Sequence, residues 1–138
     1  MPIDISILPD RRSVYARFSG VITLHDIRDS HERYLALSGY APGQTQIFDA
    51  EAVREIDMDY AQMNALVAMT YARYDALPMI THATIYAPHD IAFGMARMFE
   101  LAYGENPHYR ILVTRSDQEA LEWCGYPQLT FDELRTMV

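Results

Sequence analysis

The spacing of apolar residues switches repeatedly between the strand period of two and the helix period near 3.6, and this alternation narrows the available folds more than any other feature. Ile3, Ile5 and Ile7 alternate with Asp4 and Ser6, the pattern of a half-buried strand. Val14, Ala16 and Phe18 alternate with Tyr15, Arg17 and Ser19 as far as Gly20. The turn Pro9-Asp10-Arg11-Arg12 between them is short, so the two strands should pair antiparallel as a hairpin. Beyond it, strand and helix take turns. Thr23-x-x-Asp26 is a capping signal for a helix reaching about residue 38, and Pro42-Gly43 breaks the chain before the short strand Gln46-Ile47-Phe48-Asp49. Asp57 is the expected N-cap of a helix over 58–76. A strand over 80–87, a helix opening at Pro88-His89-Asp90 and running to about 102, and a strand over 109–114 follow. Ser116-x-x-Glu119 then opens a helix that stops at Gly125.

The order β-β-α-β-α-β-α-β-α predicts an α/β fold with a mixed, mostly parallel sheet. Its first strand should lie antiparallel at or near an edge. Residues 1–138 read as one domain with a core over about 3–125. The extension 126–138 carries one more capping box, Thr130-x-x-Glu133, for a short helical turn.

Composition removes several function classes. The net charge is −8, and the basic residues are scattered with Arg11–Arg12 as their only adjacent pair, so nucleic acid is not an expected partner. All eleven basic residues are arginine. Without lysine there is no Schiff-base or pyridoxal chemistry and no Walker phosphate loop. A single cysteine, Cys124, excludes an internal disulfide framework and any multi-cysteine metal site; beside Trp123 it reads as a packed residue. Met1-Pro2-Ile3-Asp4 lacks the basic and apolar regions of a signal peptide, and no apolar run approaches the ~20 residues of a membrane span. A cytoplasmic domain is expected, with no metal or cofactor.

The helix expected over 58–76 carries too few charges for one that covers a single face of a small sheet. From Tyr60 to Ala72 there is none. Ala61, Ala65, Ala68, Ala72 and Ala76 form a smooth stripe suited to close packing on a sheet or another helix, with Met63, Leu66, Val67, Thr70, Tyr71 and Tyr74 on other faces. Three explanations compete: neighbouring helices and the tail cover the extra apolar face; it is a homodimer interface or ligand groove; or the helix lies on a membrane, for which its flanks lack basic residues. Met63, Met69, Met95 and Met98, on this helix and the next, favour an adaptable interface or pocket. The candidate binding surface is therefore Met63, Leu66, Val67, Thr70, Tyr71, Tyr74, Met95 and Met98, bordered by Arg73, Asp75 and Arg97.

Ligands of open α/β sheets sit beyond the C-terminal strand ends, which here hold Gly20, Asp49, Pro88-His89-Asp90 and Ser116. Asp49, His89 and Asp90 are the candidates for acid–base or metal chemistry if they converge, with Asp59 and Arg97 as further ligand candidates. A capping role for His89 and Asp90 competes with this. His25 and His31 are six residues apart and do not stack on one helix face; no His or Cys spacing matches a metal motif.

Four local stretches carry a resemblance: Phe18-Ser19-Gly20-Val21-Ile22-Thr23, the strand ending at Asp49, Ala87-Pro88-His89-Asp90-Ile91-Ala92-Phe93-Gly94-Met95-Ala96-Arg97-Met98, and Glu119-Ala120-Leu121-Glu122-Trp123. With the element order, they make the chain resemble the SpoIIAA-like branch of the STAS superfamily over roughly residues 3–125. The resemblance implies a binding or regulatory module of the kind found among bacterial anti-sigma-factor antagonists, and it is likened in turn to lipid-carrying SEC14-type domains. Signalling members present a Ser or Thr at the start of the helix after the third strand. Here that helix begins Asp57-Met58-Asp59-Tyr60, so the usual phosphoacceptor is missing and Asp59 places a fixed negative charge there. Two functions are expected from these features: a non-enzymatic module that associates through proteins, as a homodimer or with another protein partner, or a carrier of a small apolar molecule or lipid.

Overall fold

The computed structural model describes residues 1–138. Its strands are β1 (Ile3–Ile7), β2 (Ser13–Thr23), β3 (Thr45–Asp57), β4 (Thr81–Tyr86) and β5 (Tyr109–Thr114). Its helices are α1 (Leu24–Ala36), α2 (Tyr60–Asp75), α3 (Asp90–Tyr103), α4 (Asp117–Trp123) and α5 (Phe131–Met137). The strands lie in chain order, β1-β2-β3-β4-β5, with β1 antiparallel on one edge and every other pair parallel. The expected α/β order and mixed sheet are therefore present.

Strand alternation divides the side chains between two unlike faces. Val14, Ala16 and Phe18 of β2 share one face with Gln46, Phe48 and Ala50 of β3, and α1, α2 and α3 cover that side. Tyr15, Ile47 and Tyr86 emerge on the other, where they pack with Leu121 of α4, Tyr126, and Phe131 and Leu134 of α5. Tyr86 stacks on Phe131 with ring centroids 4.3 Å apart. The tail is thus more than the expected helical turn: Phe131 and Leu134 are fully buried, and the core continues past residue 125.

Asp49 lies within this second face. β3 does not end there, as its short apolar run implied, but continues to Asp57, and β2 continues through Gly20 to Thr23 beside it. Two register shifts interrupt the β2–β3 ladder, one between Arg17 and Ser19 and one between Gly20 and Val21. Gly20 takes φ 71°, a conformation glycine tolerates best. The polar residues Glu51, Glu55 and Asp57 obscure this extension, because beyond Asp49 the strand is paired on one side only, with β2, and β4 has ended. One consequence is that Asp57 ends a strand instead of capping a helix. Asp59 does the capping: its Oδ1 accepts from the Gln62 amide at 2.8 Å, and Gln62 Oε1 accepts from the Asp59 amide at 3.0 Å.

Only 1% of the Asp49 side chain is exposed, and it is matched by Arg135 of α5. Arg135 Nε donates to Asp49 Oδ2 at 2.9 Å and its Nη2 to Oδ1 at 3.2 Å; the guanidinium also meets Glu51 and Asp132. The Tyr15 hydroxyl donates to the same carboxylate. A buried ion pair of this kind is costly to half-remove. Asp49→Asn and Arg135→Met are each expected to lower unfolding free energy by about 3–5 kcal/mol in urea titrations. The double variant should lose clearly less than the sum; additive losses would show that the two groups are not coupled.

Candidate functional site: a cavity beneath α2

Helix α2 buries Met63, Thr70 and Tyr74, while Ala61, Ala68 and Ala72 of the alanine stripe are exposed and Ala65 is half-buried. The stripe was expected to face inward. Larger side chains take that place, and they hold the helix off the sheet instead of drawing it close. The helix packs against α3, α1 and the edge strand β5. Under it lies a cavity of ≈190 Å³ lined by 27 residues, 22 of them hydrophobic. For comparison, an engineered apolar cavity of ~150 Å³ accommodates benzene.

Each covering helix contributes one stripe. Ile27, His31 and Tyr34 come from α1; Met63, Leu66, Met69, Thr70, Arg73 and Tyr74 from α2; Ala92, Met95, Ala96 and Phe99 from α3. The sheet supplies the floor, including Phe18, Phe48 and Ile111, and Met58 stands in the β3–α2 connection. Four of the eight methionines, Met58, Met63, Met69 and Met95, therefore line one space. Unbranched thioethers suit a wall that has to fit an irregular occupant.

One end of the cavity is polar. A smaller space of ≈110 Å³ adjoins it and shares His31, Tyr34, Gln46, Arg73 and Tyr74; Tyr40, Gln44 and Thr81 complete its polar lining. Of these eight residues, Tyr34, Gln44, Gln46 and Tyr74 have side-chain hydrogen-bond partners. Tyr34 donates to Gln44 Oε1 at 2.6 Å and Tyr109 to Gln46 Oε1 at 2.7 Å, while Gln46 Nε2 donates to the Tyr74 hydroxyl. Tyr74 and Tyr109 stack with centroids 4.2 Å apart. Burial, and secondarily the charge of Arg73, push the His31 imidazole from its ordinary value near 6.5 down to about 4. Burial also lowers Arg73 from its ordinary value.

The residues singled out from the sequence divide into three groups. Met63, Leu66, Thr70, Tyr74 and Met95 line the cavity; Met63, Thr70 and Tyr74 are buried within the chain. Val67 packs half-buried beside Tyr74 and Tyr103, and Tyr71 and Met98 are exposed on the outer surface. The strand-end candidates do not converge. Asp49 is on the opposite face of the sheet, tied to Arg135 and Tyr15. Asp90 is 91% exposed and pairs with Arg115 at 2.8 Å, His89 is the N-cap of α3 without a side-chain capping bond, and Arg97 pairs with Glu100 on α3. No group of three His, Cys, Asp or Glu side chains is placed to hold a metal ion. Cys124 is half-buried and its thiol is pushed by burial up to about 12, so it is not a thiolate near neutrality.

The six-residue spacing of His31 from His25 carries no signal for a site. The useful spacing was to Ile27 and Tyr34: positions 27, 31 and 34 fall on one helix face, the inner one. Gln46 and Thr81 could not be found from local pattern, since their role comes from the register that brings β3 and β4 together under Tyr74.

No protein-family model matches the chain, and no curated protein does. Solved structures do. The backbone is similar to an uncharacterized protein of the DUF3478 family with a SpoIIAA-like fold from Shewanella loihica PV-4, with TM-score 0.53 and 14% identity over 88% of this chain and 91% of that one. It is also similar to the anti-sigma factor antagonist SpoIIAA in its unphosphorylated form, with TM-score 0.51 and 15% identity over 88% of this chain and 96% of that one. The fold is SpoIIAA-like, as the resemblance implied. Neither neighbour is described as an enzyme. No helix of this chain is long and apolar enough to cross a membrane.

The depressed His31 gives a stability prediction. Unfolded, this ring takes a proton below about 6.5; folded, only below about 4. Between those values the unfolded state binds more protons, so stability falls as pH falls. His31→Leu should flatten the dependence of unfolding free energy on pH across that window. An unchanged slope would show that the ring is solvated in the native state.

Proposed function

We propose that this protein is a non-enzymatic binding module whose ligand, a small molecule with an apolar body, sits between the sheet and α1, α2 and α3. The observation that carries this reading is the cavity itself. A chain of this size ordinarily closes its core to crystal-like density, yet here 22 hydrophobic residues surround a space that α2 spans without filling. The cost of such a space is recovered when an apolar occupant restores the lost dispersion contacts. The dispersal of Asp49, His89 and Asp90 leaves the same region without an acid–base constellation.

Octan-1-ol is a suitable first probe, read through methionine methyl resonances. Met58, Met63, Met69 and Met95 should shift on titration, whereas Met1 and Met137 should not. Ala96→Leu narrows the cavity from α3 and should weaken binding at least tenfold while leaving the fold intact by circular dichroism. Absence of any shift up to saturating alcohol would reject the reading.

A second reading, association with a protein, is favoured by the outer surface of α3, where Ile91, Met98 and Leu101 are 57%, 50% and 70% exposed on one helical stripe. It moves the expected interface outward from Met63, which is only 4% exposed. A self-associating chain should show a dimer mass by light scattering that Leu101→Asp converts to monomer. A monomer across the whole concentration range would remove the homodimer.

A further inference from the structure

We infer that the occupant is an amphiphile with a single carboxylate, its alkyl body in the apolar cavity and its head against Arg73, His31 and Thr81 in the polar space beside it. This rests on the binding reading above and adds the chemistry of the ligand's charged end.

The first observation concerns charge. The chain has 19 acidic residues and a net charge of −8, yet neither space is lined by a single Asp or Glu. The only full charge on their walls is Arg73, which lines both. Six other arginines, Arg12, Arg33, Arg97, Arg115 and Arg135 among them, make ion pairs or hydrogen bonds; Arg73 makes none. A half-buried guanidinium without a carboxylate is an anion site in waiting, because desolvation without compensation is unfavourable.

The second observation concerns donors. Three buried side-chain polar atoms in the molecule lack a hydrogen-bond partner, and two of them belong to residues lining the smaller space: His31 Nε2 and Thr81 Oγ1. Thr81 is 1% exposed. Tyr74 accepts from Gln46, which leaves its own hydroxyl hydrogen unassigned. Arg73, Thr81 and Tyr74 can all donate, as can His31 through whichever ring nitrogen carries its hydrogen, while the amide acceptors nearby, Gln44 Oε1 and Gln46 Oε1, are already taken by Tyr34 and Tyr109. Such a surplus of donors matches an anion better than a hydroxyl or an amide. A lone guanidinium matches one negative charge, and its fork suits a carboxylate.

The third observation is arrangement. The residues shared by the two spaces form the boundary between an apolar chamber and a polar one. An eight-carbon carboxylate has somewhat under twice the volume of benzene, and the two chambers, ≈190 and ≈110 Å³, together offer about twice the ~150 Å³ that accommodates benzene.

The test compares octanoate with octan-1-ol at pH 7.5, using the methionine methyl resonances and the His31 Cε1–H resonance. Octanoate should bind at least tenfold tighter than octan-1-ol. Arg73→Gln should abolish that advantage while keeping octan-1-ol binding, which also certifies the fold; Arg54→Gln, an exposed charge away from both spaces, should leave it intact. Bound octanoate should raise the pH at which His31 titrates, an effect octan-1-ol should not produce. Equal affinity for acid and alcohol, or an advantage that survives Arg73→Gln, would overturn the carboxylate assignment while leaving the apolar cavity as a binding site. Failure of both probes to bind would remove the underlying reading and this inference together.

Discussion

A carboxylate in the middle of a sheet needs a cation, and Arg135 supplies it to Asp49 from a helix only a few residues from the C-terminus. Without that pair, β3 would carry an uncompensated charge among Tyr15, Ile47 and Tyr86, and the cluster around Phe131 and Leu134 would lose its polar anchor. The geometry adds direction to the energy. Two parallel hydrogen bonds from one guanidinium fix the approach of α5 to the sheet in a way that Phe131 and Leu134 alone would not. One face of the sheet is thereby closed, with aromatic stacking and a satisfied ion pair.

That closure lets the other face be different. The two faces of a five-stranded sheet share a backbone, and here one carries a closed cluster while the other carries a cavity. α1 and α3 pack their apolar stripes against the strands, and α2 bridges the space between them. Four of the eight methionines, the half-buried arginine and the unpartnered His31 and Thr81 atoms collect in the two adjoining spaces there. Departures from dense, satisfied packing are concentrated in one region, the distribution expected when they serve a purpose in the native protein.

The fold was largely legible because strand and helix periods differ, and the capping signals at Thr23, Ser116 and Thr130 each mark a real helix start. The far half of β3 was not, since Glu51, Glu55 and Asp57 carry no apolar alternation to distinguish a strand from a loop. The excess apolar surface of α2 is legible in the sequence, but which side of the helix faces the sheet is not. Periodicity states which residues share a face; it does not state which face is inward when both are nearly uncharged. The Arg135–Asp49 pair spans 86 positions and belongs to tertiary structure alone. Likewise, the donors near Thr81 become a cluster only when β3, β4, α1 and α2 meet.

Helix α2 is secured unequally along its length. Near its C-terminal end, Tyr74 stacks on Tyr109 and accepts a hydrogen bond from Gln46, both rooted in the sheet. Near its N-terminal end the Asp59–Gln62 capping box is internal to the helix, so it sharpens the helix start without fastening it to anything else. Between them, alanine faces outward, larger side chains stand over the cavity, and Arg28 of α1 donates to the Met69 sulfur. The polar end of the cavity is thus the end at which α2 is hydrogen-bonded to the sheet, whereas its apolar end is closed by side-chain packing around Met63.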